Sequence, residues 1–258
     1  MFNRLILSTK VTTGIDGLDE IVEGGLPRPA AIGLIGEADS GKSLLARQIS
    51  WNLLRKGFNV LYYSVDESAE DVRRCMNYYG WDITEYEREG KFHFIDIFSH
   101  GAEVIKTYPA ASPSEYIDQI FDFNGLLKED QDLYLEKMGG KDLLVIIDSL
   151  DSLIFLLDKE EALYFLRGMK SITRASQCIG IAIVNLDTHD PKLEEPYKQI
   201  VDVIIELHKI GQKGNRSRCI RVTKAPERFH DESYYFEIDE KHGITVHQIT
   251  VPLIEEIA

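Results

Sequence analysis

The chain has 258 residues, of which 44% are hydrophobic, and its formal net charge is −14 at pH 7. That length and apolar content predict one large α/β domain over residues 1–258. The acidic balance argues against a nucleic-acid partner, because such interfaces neutralise phosphates chiefly with Lys and Arg. We find no apolar stretch that would serve as a signal peptide or a membrane span, and therefore expect a cytoplasmic protein.

The first clear element is the apolar strand AAIGLI at residues 30–35, which a glycine-containing turn joins to the helical pattern LLARQISWNLLRKG. The turn, GEADSGKS, matches G-x-x-x-x-G-K-[ST] without a gap. Its glycines would let backbone N–H groups converge on phosphate oxygens, Lys42 would reach the β- and γ-phosphates, and the Ser43 hydroxyl would bind Mg²⁺.

The alternative is a strand-to-helix turn without a ligand, but the flanking strand and helix favour a phosphate loop. Two carboxylates in the loop would weaken the binding of a polyanion unless they point outward. The predicted nucleotide-binding residues of the loop are Gly36, Glu37, Ala38, Asp39, Ser40, Gly41, Lys42 and Ser43, and Ser43 is also a predicted metal ligand.

The next strand, NVLYYSV at residues 59–65, is followed by two acids and the helix AEDVRRCMNYYG. We expect this strand to neighbour the phosphate-loop strand, which would let a carboxylate orient or deprotonate the attacking water. Glu67 is the preferred base because of its longer reach. Asp66 is the second candidate, and its alternative role is to cap the following helix.

A further strand, KFHFIDIF, precedes the least regular stretch, residues 99–140, which contains PSEYIDQIFDF and the acidic segment KEDQDLYLEK. We expect a surface insertion or lid there, with a helix in its first half. The three cysteines, Cys75, Cys178 and Cys219, are far apart, which argues against a metal knuckle and a disulfide framework.

The continuous apolar run DLLVIID is typical of a central parallel strand, and it ends at Asp148. A carboxylate at this position suits the metal side of a phosphate loop, whereas the alternative role is to cap the following turn. The helix EEALYFLRGMKSITRASQ and the strand CIGIAIVN follow. Asn185 closes that strand, either as a hydrogen-bonding sensor of the γ-phosphate or as a simple Asn turn.

From residue 201 onwards, four β-rich segments separated by polar, Gly-bearing turns predict antiparallel strands that extend the sheet. The cationic segment KIGQKGNRSR, residues 209–218, is the one cluster that could grip a nucleic-acid strand. A solvated hairpin tip is the favoured interpretation.

Several segments, in this order, resemble KaiC-like and RecA-like ATPases. The opening of these ATPases resembles VTTGIDGLDEIVEGGLPRPAAIGLIGEADSGKS. Their paired-acid region resembles VLYYSVDESAEDV and the following GWDITEYEREGKFHFID, and their metal-binding strand resembles VIIDSLDSL. The resemblance covers residues 11–246. It implies a RecA-like P-loop NTPase core, with a mostly parallel twisted sheet flanked by helices and C-terminal antiparallel strands. It also implies ATP and Mg²⁺ as cofactors, bound between subunits of a homo-oligomer.

This chain departs from the family pattern at three places. One is the phosphate loop, which carries Glu37 and Asp39. Asp66 stands where the first of the paired acids is usually Glu. TKAPERFHDESYYFEI resembles the region where a Lys-x-Arg pair reaches a neighbour's nucleotide, but Lys224 is followed by Ala225 and Pro226, so Arg228 is the candidate substitute. If Arg228 does not substitute, transition-state charge is left under-compensated and hydrolysis should be slow.

Three functional hypotheses follow. The leading one is an ATP-binding, weak Mg²⁺-dependent ATPase that controls a protein partner. The second is a non-hydrolysing, nucleotide-stabilised scaffold, which the missing second cation favours. The third, a recombination accessory ATPase, is the weakest because of the negative charge and because no separate N-terminal DNA-binding domain is present in the sequence.

Overall fold

A computed structural model describes residues 9–107, 142–152, 159–185, 191–211 and 217–251. The strands are β1 (Thr9–Val11), β2 (Leu26–Arg28), β3 (Ala30–Gly36), β4 (Asn59–Ser64), β5 (Phe92–Asp96), β6 (Leu143–Asp148), β7 (Ile179–Asn185), β8 (Val203–Ile210), β9 (Ser217–Lys224), β10 (Tyr234–Asp239) and β11 (Gly243–Thr250). The helices are α1 (Asp16–Ile21), α2 (Lys42–Leu54), α3 (Ala69–Tyr78), α4 (Thr84–Arg88), α5 (Ile97–Thr107), α6 (Lys159–Ser176) and α7 (Pro191–Ile200).

Nine strands form one sheet in the order β11-β10-β9-β8-β3-β7-β6-β4-β5, and β1 pairs with β2 separately. The six strands from β8 to β5 are parallel to one another. The remaining pairs, β8 with β9, β9 with β10 and β10 with β11, are antiparallel. The predicted fold class, a mostly parallel α/β sheet with C-terminal antiparallel strands, is therefore confirmed.

Two predictions about strand neighbours are wrong. β4 does not neighbour the phosphate-loop strand β3, because β7 and β6 lie between them. β8 is not purely part of an antiparallel extension, because it pairs in parallel with β3 on one side and antiparallel with β9 on the other. Strand order depends on how the crossovers pack, which the pattern of a single strand does not encode.

The predicted strand at residues 91–98 ends earlier, at Asp96, because Ile97 and Phe98 begin α5. The first residues of the predicted insertion, 99–107, belong to this helix. The rest of the insertion, including its predicted helix and acidic segment, lies outside the described residues.

The sheet has an apolar core on each face. Alternate side chains of a strand point to opposite faces, so Ile32 and Leu34 of β3 join one core and Ala31 and Ile35 join the other. The first core is covered chiefly by α1, α2 and α3, and the second by α5, α6 and α7. Coverage of both faces explains why β3, β6 and β7 are continuous apolar runs.

The segment T-G-x-x-x-L-D, residues 13–19, has a structural role that its pattern did not reveal. The Asp19 carboxylate accepts hydrogen bonds from the Thr13 backbone N, the Thr13 hydroxyl and the Gly14 backbone N, at 2.7 to 3.0 Å. These bonds fix the turn into α1, which packs so closely on β11 that a Cβ atom at Gly17 would lie 2.4 Å from the Val246 carbonyl oxygen.

Sequence analysis also missed α7. Two of its ten residues are prolines, Pro191 and Pro196, and proline inside a helix usually breaks it. Pro191 is tolerated because the first helical position needs no N–H donor.

Among the described residues, no helix is both long enough and apolar enough to cross a bilayer.

The three cysteines form no disulfide, as expected. Cys178 and Cys219 are buried and Cys75 is partly buried. Burial raises the pKa of the Cys178 thiol to about 12, so this side chain behaves as a small apolar residue of the core.

Candidate functional site

The predicted phosphate loop connects the end of β3 to the start of α2. Three of its residues have positive φ: Gly36 at 155°, Asp39 at 60° and Gly41 at 109°. Gly41 is the N-cap of α2 and supplies no side-chain acceptor, and no acidic residue occupies the first turn of the helix. The N-terminus of α2 is thus arranged as an anion would require, which fits a nucleotide phosphate.

Lys42 is folded back over this loop. Its Nζ donates to the backbone oxygens of Gly36 at 2.9 Å and Glu37 at 2.6 Å, and the residue is only 5% exposed. The ammonium group is therefore held against the loop by carbonyl oxygens, and phosphate oxygens are stronger acceptors for the same donors.

Ser43 and Asp148, the two predicted metal ligands, are in direct contact. Ser43 Oγ donates to Asp148 Oδ1 at 2.8 Å, although 105 positions separate the two residues in sequence. A hydroxyl and a carboxylate at the edge of a phosphate loop provide the hard oxygen atoms that Mg²⁺ prefers. The residues present therefore fit the metal that the sequence predicts.

The second oxygen of Asp148 is held by two further donors. Asp148 Oδ2 accepts a hydrogen bond of 2.5 Å from the Tyr62 hydroxyl and lies 3.3 Å from Arg47 Nη2. Burial raises the pKa of Asp148, while the charge of Arg47 and the hydrogen bonds from Tyr62 and Ser43 oppose that rise. Three donors thus compensate a carboxylate that β6 carries into the interior.

Arg47 is the site residue that sequence analysis missed. Burial disfavours its charge, but the surrounding groups Tyr62, Asp148 and Glu67 outweigh burial and raise the pKa of the guanidinium. A signal was available in the sequence, because Arg47 follows Ser43 by four positions and therefore lies on the same face of α2.

The two candidate bases have different partners. Glu67 Oε2 lies 3.1 Å from Arg47 Nη2, and its side chain is 45% exposed. Asp66 accepts hydrogen bonds from the hydroxyls of Ser149 and Ser152, just after β6. The alternative role of Asp66 as a helix cap is wrong, because Ser68 caps α3 by accepting from the Asp71 backbone N.

Asn185, the predicted γ-phosphate sensor, also lies at the edge of the sheet where β3 and β6 end. Its backbone N and its Nδ2 both donate to Asp151 Oδ2 at 2.8 Å. This side chain is thus engaged by a carboxylate of the segment after β6, and its contact with a nucleotide stays a prediction.

Glu37 is turned toward β8. Its Oε1 lies 3.3 Å from His208 Nδ1, and its Oε2 accepts from the Lys209 backbone N at 3.0 Å. Asp39 is exposed. The proposed repulsion between Glu37 and a polyphosphate is thereby reduced, because this carboxylate already has donors on the neighbouring strand.

The cationic segment at residues 209–218 begins with Lys209, beside Glu37 of the phosphate loop. Lys209 Nζ donates to the Ala38 backbone oxygen at 2.5 Å, so this cation contacts the phosphate loop of its own chain. Residues 212–216, the middle of the predicted hairpin tip at 209–218, lie outside the described part of the chain.

His208 is expected to make the stability of this chain pH-dependent. Its two ring nitrogens face Glu206 Oε2 and Glu37 Oε1 at 3.3 Å each, so only the doubly protonated ring donates to both carboxylates. The hydrogen bond to Glu206 is the main reason that the pKa of His208 is raised; burial opposes the rise, and Glu37 adds to it.

A raised pKa in the folded state stabilises the protein fully below the unfolded pKa, and this stabilisation is lost as pH rises through the folded value. The loss of unfolding free energy in His208→Gln should therefore be largest below about pH 6.5, the ordinary histidine pKa, and shrink as the pH rises above it. Urea unfolding across this range measures it, with His242→Gln as a control at an exposed turn. A difference in unfolding free energy between His208→Gln and the wild type that does not depend on pH would contradict the role given to protonated His208.

Lys224, predicted to reach a neighbour's nucleotide, bonds to its own chain. Its Nζ donates to the carbonyl oxygens of Lys198 at 2.7 Å and Val201 at 2.6 Å, at the end of α7. Burial and Lys170 lower the pKa of Lys224. Lys224 pairs with Ile204 near the start of β8. Gly36 of the phosphate loop pairs with Leu207, further along β8. Lys224 and the phosphate loop therefore lie at different positions along β8. Arg228 is exposed.

Comparison with known proteins places this geometry in a family. A family model described as "ATPase: KaiC" matches residues 11–251. The chain is 29% identical over 240 residues to UPF0273 protein PF1931 of Pyrococcus furiosus, with 92% of this chain and 94% of that protein covered. It is 28% identical over 240 residues to a UPF0273 protein of Thermotoga maritima, with 92% and 96% covered.

Among solved structures, the KaiC-like protein PH0186 from Pyrococcus horikoshii OT3 is similar, with a TM-score of 0.69. The match covers 93% of this chain and 99% of that chain at 24% identity, so it supports the fold alone. The family model, in contrast, spans nearly the whole sequence and includes the phosphate loop, Asp148 and both acids after β4. The chain therefore belongs to the KaiC family of RecA-like P-loop ATPases.

Proposed function

We propose that this protein binds ATP with Mg²⁺ in the cytoplasm, hydrolyses it slowly and uses the nucleotide state to control a protein partner. The observation that carries the proposal is the contact between Ser43 and Asp148 beside the phosphate loop. A hydroxyl and a carboxylate joined at 2.8 Å form the metal-binding half of a nucleoside triphosphate site. Lys42 and the N-terminus of α2 form the phosphate-binding half.

The chemistry can be assigned to residues of this chain. Lys42 and the loop N–H groups would hold the polyphosphate, and Ser43 with Asp148 would hold Mg²⁺, which supplies charge neutralisation when bound. Glu67 would accept a proton from the attacking water, because its carboxylate is partly exposed beside the metal carboxylate. Both carboxylate oxygens of Asp66 already accept hydrogen bonds from serine hydroxyls, which favours Glu67 over Asp66 as the base.

Glu67→Gln is expected to retain ATP binding and to lower hydrolysis by a factor of about 100 or more, since an amide does not accept the proton. Single-turnover hydrolysis of labelled ATP measures the change, with Asp66→Asn as the comparison. Loss of turnover in Asp66→Asn alone would move the base to Asp66. Unchanged turnover in both variants would reject this hydrolytic mechanism.

A non-hydrolysing, nucleotide-stabilised scaffold is the second candidate, and the Lys224 geometry favours it. The amine bonds to carbonyls of its own chain, and Pro226 stands where the family's second cation would be. Wild-type protein that binds ATP without any single-turnover hydrolysis would establish the scaffold. DNA-stimulated turnover at moderate salt would instead revive the recombination accessory role.

Assembly into a ring or filament is expected to depend on ATP, because a nucleotide that contacts two subunits stabilises their interface. If Lys224 or Arg228 contacts a neighbour's nucleotide, the double variant Lys224→Ala, Arg228→Ala should lose this assembly. Light scattering with and without ATP and Mg²⁺ tests this, with Arg88→Ala as a surface-cation control. A monomer under all conditions would contradict the contact between subunits.

A further inference from the structure

Arg47 and Ser43 act on the same carboxylate from one face of α2. They lie one helical turn apart, so their side chains project in the same direction. Ser43 Oγ donates to Asp148 Oδ1, and Arg47 Nη2 lies 3.3 Å from Asp148 Oδ2. The helix that begins at the phosphate loop therefore contacts both oxygens of the candidate metal carboxylate.

The guanidinium of Arg47 also contacts two other elements. Nη2 lies 3.1 Å from Glu67 Oε2, on the segment after β4. Nε donates at 3.2 Å to the Tyr62 hydroxyl, which itself donates to Asp148 Oδ2. One planar group thus connects α2, β4, β6 and the candidate base, and a lysine ammonium lacks this fixed fork of donors.

This arrangement differs from an ordinary structural ion pair. Arg73 illustrates the ordinary case, since it forms a bidentate pair with Glu87 at 2.7 to 3.1 Å and joins α3 to α4 away from the phosphate loop. The Arg47 side chain is only 5% exposed, and its acidic partners are the candidate metal ligand Asp148 and the candidate base Glu67. A buried cation that bridges these two carboxylates fixes their relative position.

We propose that Arg47 is a positioning residue: it holds the metal carboxylate Asp148 and the water-activating carboxylate Glu67 in fixed relation to the phosphate loop. This inference rests on the proposed function. It assigns to Arg47 no contact with the nucleotide, since the guanidinium acts through the two carboxylates. Substitution of Arg47 should therefore reduce the gain in ATP affinity that Mg²⁺ provides. The ATP affinity measured without Mg²⁺ should change less.

The test compares ATP dissociation constants with and without Mg²⁺, measured by calorimetry on folded protein. Arg47→Lys keeps the charge but loses the planar fork, and we expect the Mg²⁺-dependent gain in affinity to fall by about tenfold. Arg73→Lys is the matched control and should retain the wild-type gain. An unchanged gain in folded Arg47→Lys overturns the inference, whatever happens to its melting temperature.

Tyr62→Phe provides a second variant in case Arg47→Lys does not fold. It removes one hydroxyl from the network and keeps the ring, and the Mg²⁺-dependent gain should fall about three- to fivefold. An unchanged gain in this variant overturns the inference as well. Wild-type protein that binds ATP without any gain from Mg²⁺ also overturns it, whereas wild-type protein that binds no ATP rejects the proposed function itself.

Discussion

Gly36→Ala is expected to lower the free energy of unfolding by about 3 to 5 kcal/mol, through steric overlap and an unfavourable backbone conformation. A Cβ atom at this position would lie 2.0 Å from the Leu207 carbonyl oxygen of β8, and the φ angle of Gly36 is +155°. The clash is with backbone, so no side-chain rotation relieves it. The first glycine of the predicted phosphate loop is therefore required by the packing of the sheet, independently of any ligand.

Urea unfolding of Gly36→Ala measures this loss. Gly168→Ala is the matched control, because a Cβ atom there meets nothing within 4 Å and the residue lies inside α6. The control should be neutral or gain up to about 1 kcal/mol, since alanine favours a helix. Equal stability of Gly36→Ala and the wild type would show that β3 and β8 do not pair as described.

Lys42→Ala is expected to weaken ATP binding by about 100-fold, because the ammonium would make two charge-assisted hydrogen bonds to phosphates. The fold should persist, since Lys42 Nζ contacts Gly36, Glu37 and Ser40 of the loop itself. Equilibrium dialysis with labelled ATP measures the affinity, and circular dichroism confirms that the variant is folded.

Lys56→Ala is the matched control for this variant. Lys56 follows the opposite end of α2 and also donates to a backbone carbonyl, that of Thr12. The Lys56→Ala variant should bind ATP as the wild type does. Equal affinity of Lys42→Ala and the wild type would mean that the loop is a turn between strand and helix, with no role in nucleotide binding.

Local patterns in the sequence were sufficient for most of the parallel sheet. The apolar runs of β3, β6 and β7 and the G-x-x-x-x-G-K-S spacing are encoded within short segments, so they could be predicted without tertiary information. Asp148 was predicted for the metal side of the phosphate loop because it ends a central apolar strand, and the carboxyl ends of parallel strands meet at one edge of the sheet. The structure brings Asp148 into contact with Ser43 of the loop.

The remaining features depend on contacts between distant parts of the chain. Arg47 lies in the pattern LLARQISWNLL, where a single cation resembles a surface residue, and only the position of β6 makes it a buried partner of Asp148. Glu37 appeared unfavourable for phosphate binding until β8 supplied His208 and the Lys209 N–H, more than 170 positions away. The order of β4, β6 and β7 likewise depends on helix packing across the sheet.

The predicted base, Glu67, also depends on tertiary contacts that the sequence pattern does not encode. The sequence places Glu67 directly after β4, and the expected route to the nucleotide was adjacency of β4 to β3. The structure rejects that adjacency, yet Glu67 still reaches the site because Arg47 of α2 contacts both Glu67 and Asp148. The predicted residue can thus be retained although the predicted neighbour was wrong.

The central claim is that the loop from Gly36 to Ser43, with Asp148 beside it, is an ATP site. Calorimetric titration of the wild-type protein with ATP, in the presence and absence of Mg²⁺, tests it most directly. We expect saturable binding that Mg²⁺ strengthens, since Ser43 and Asp148 are placed to hold the metal. Absence of binding under both conditions, in protein shown to be folded, would contradict it.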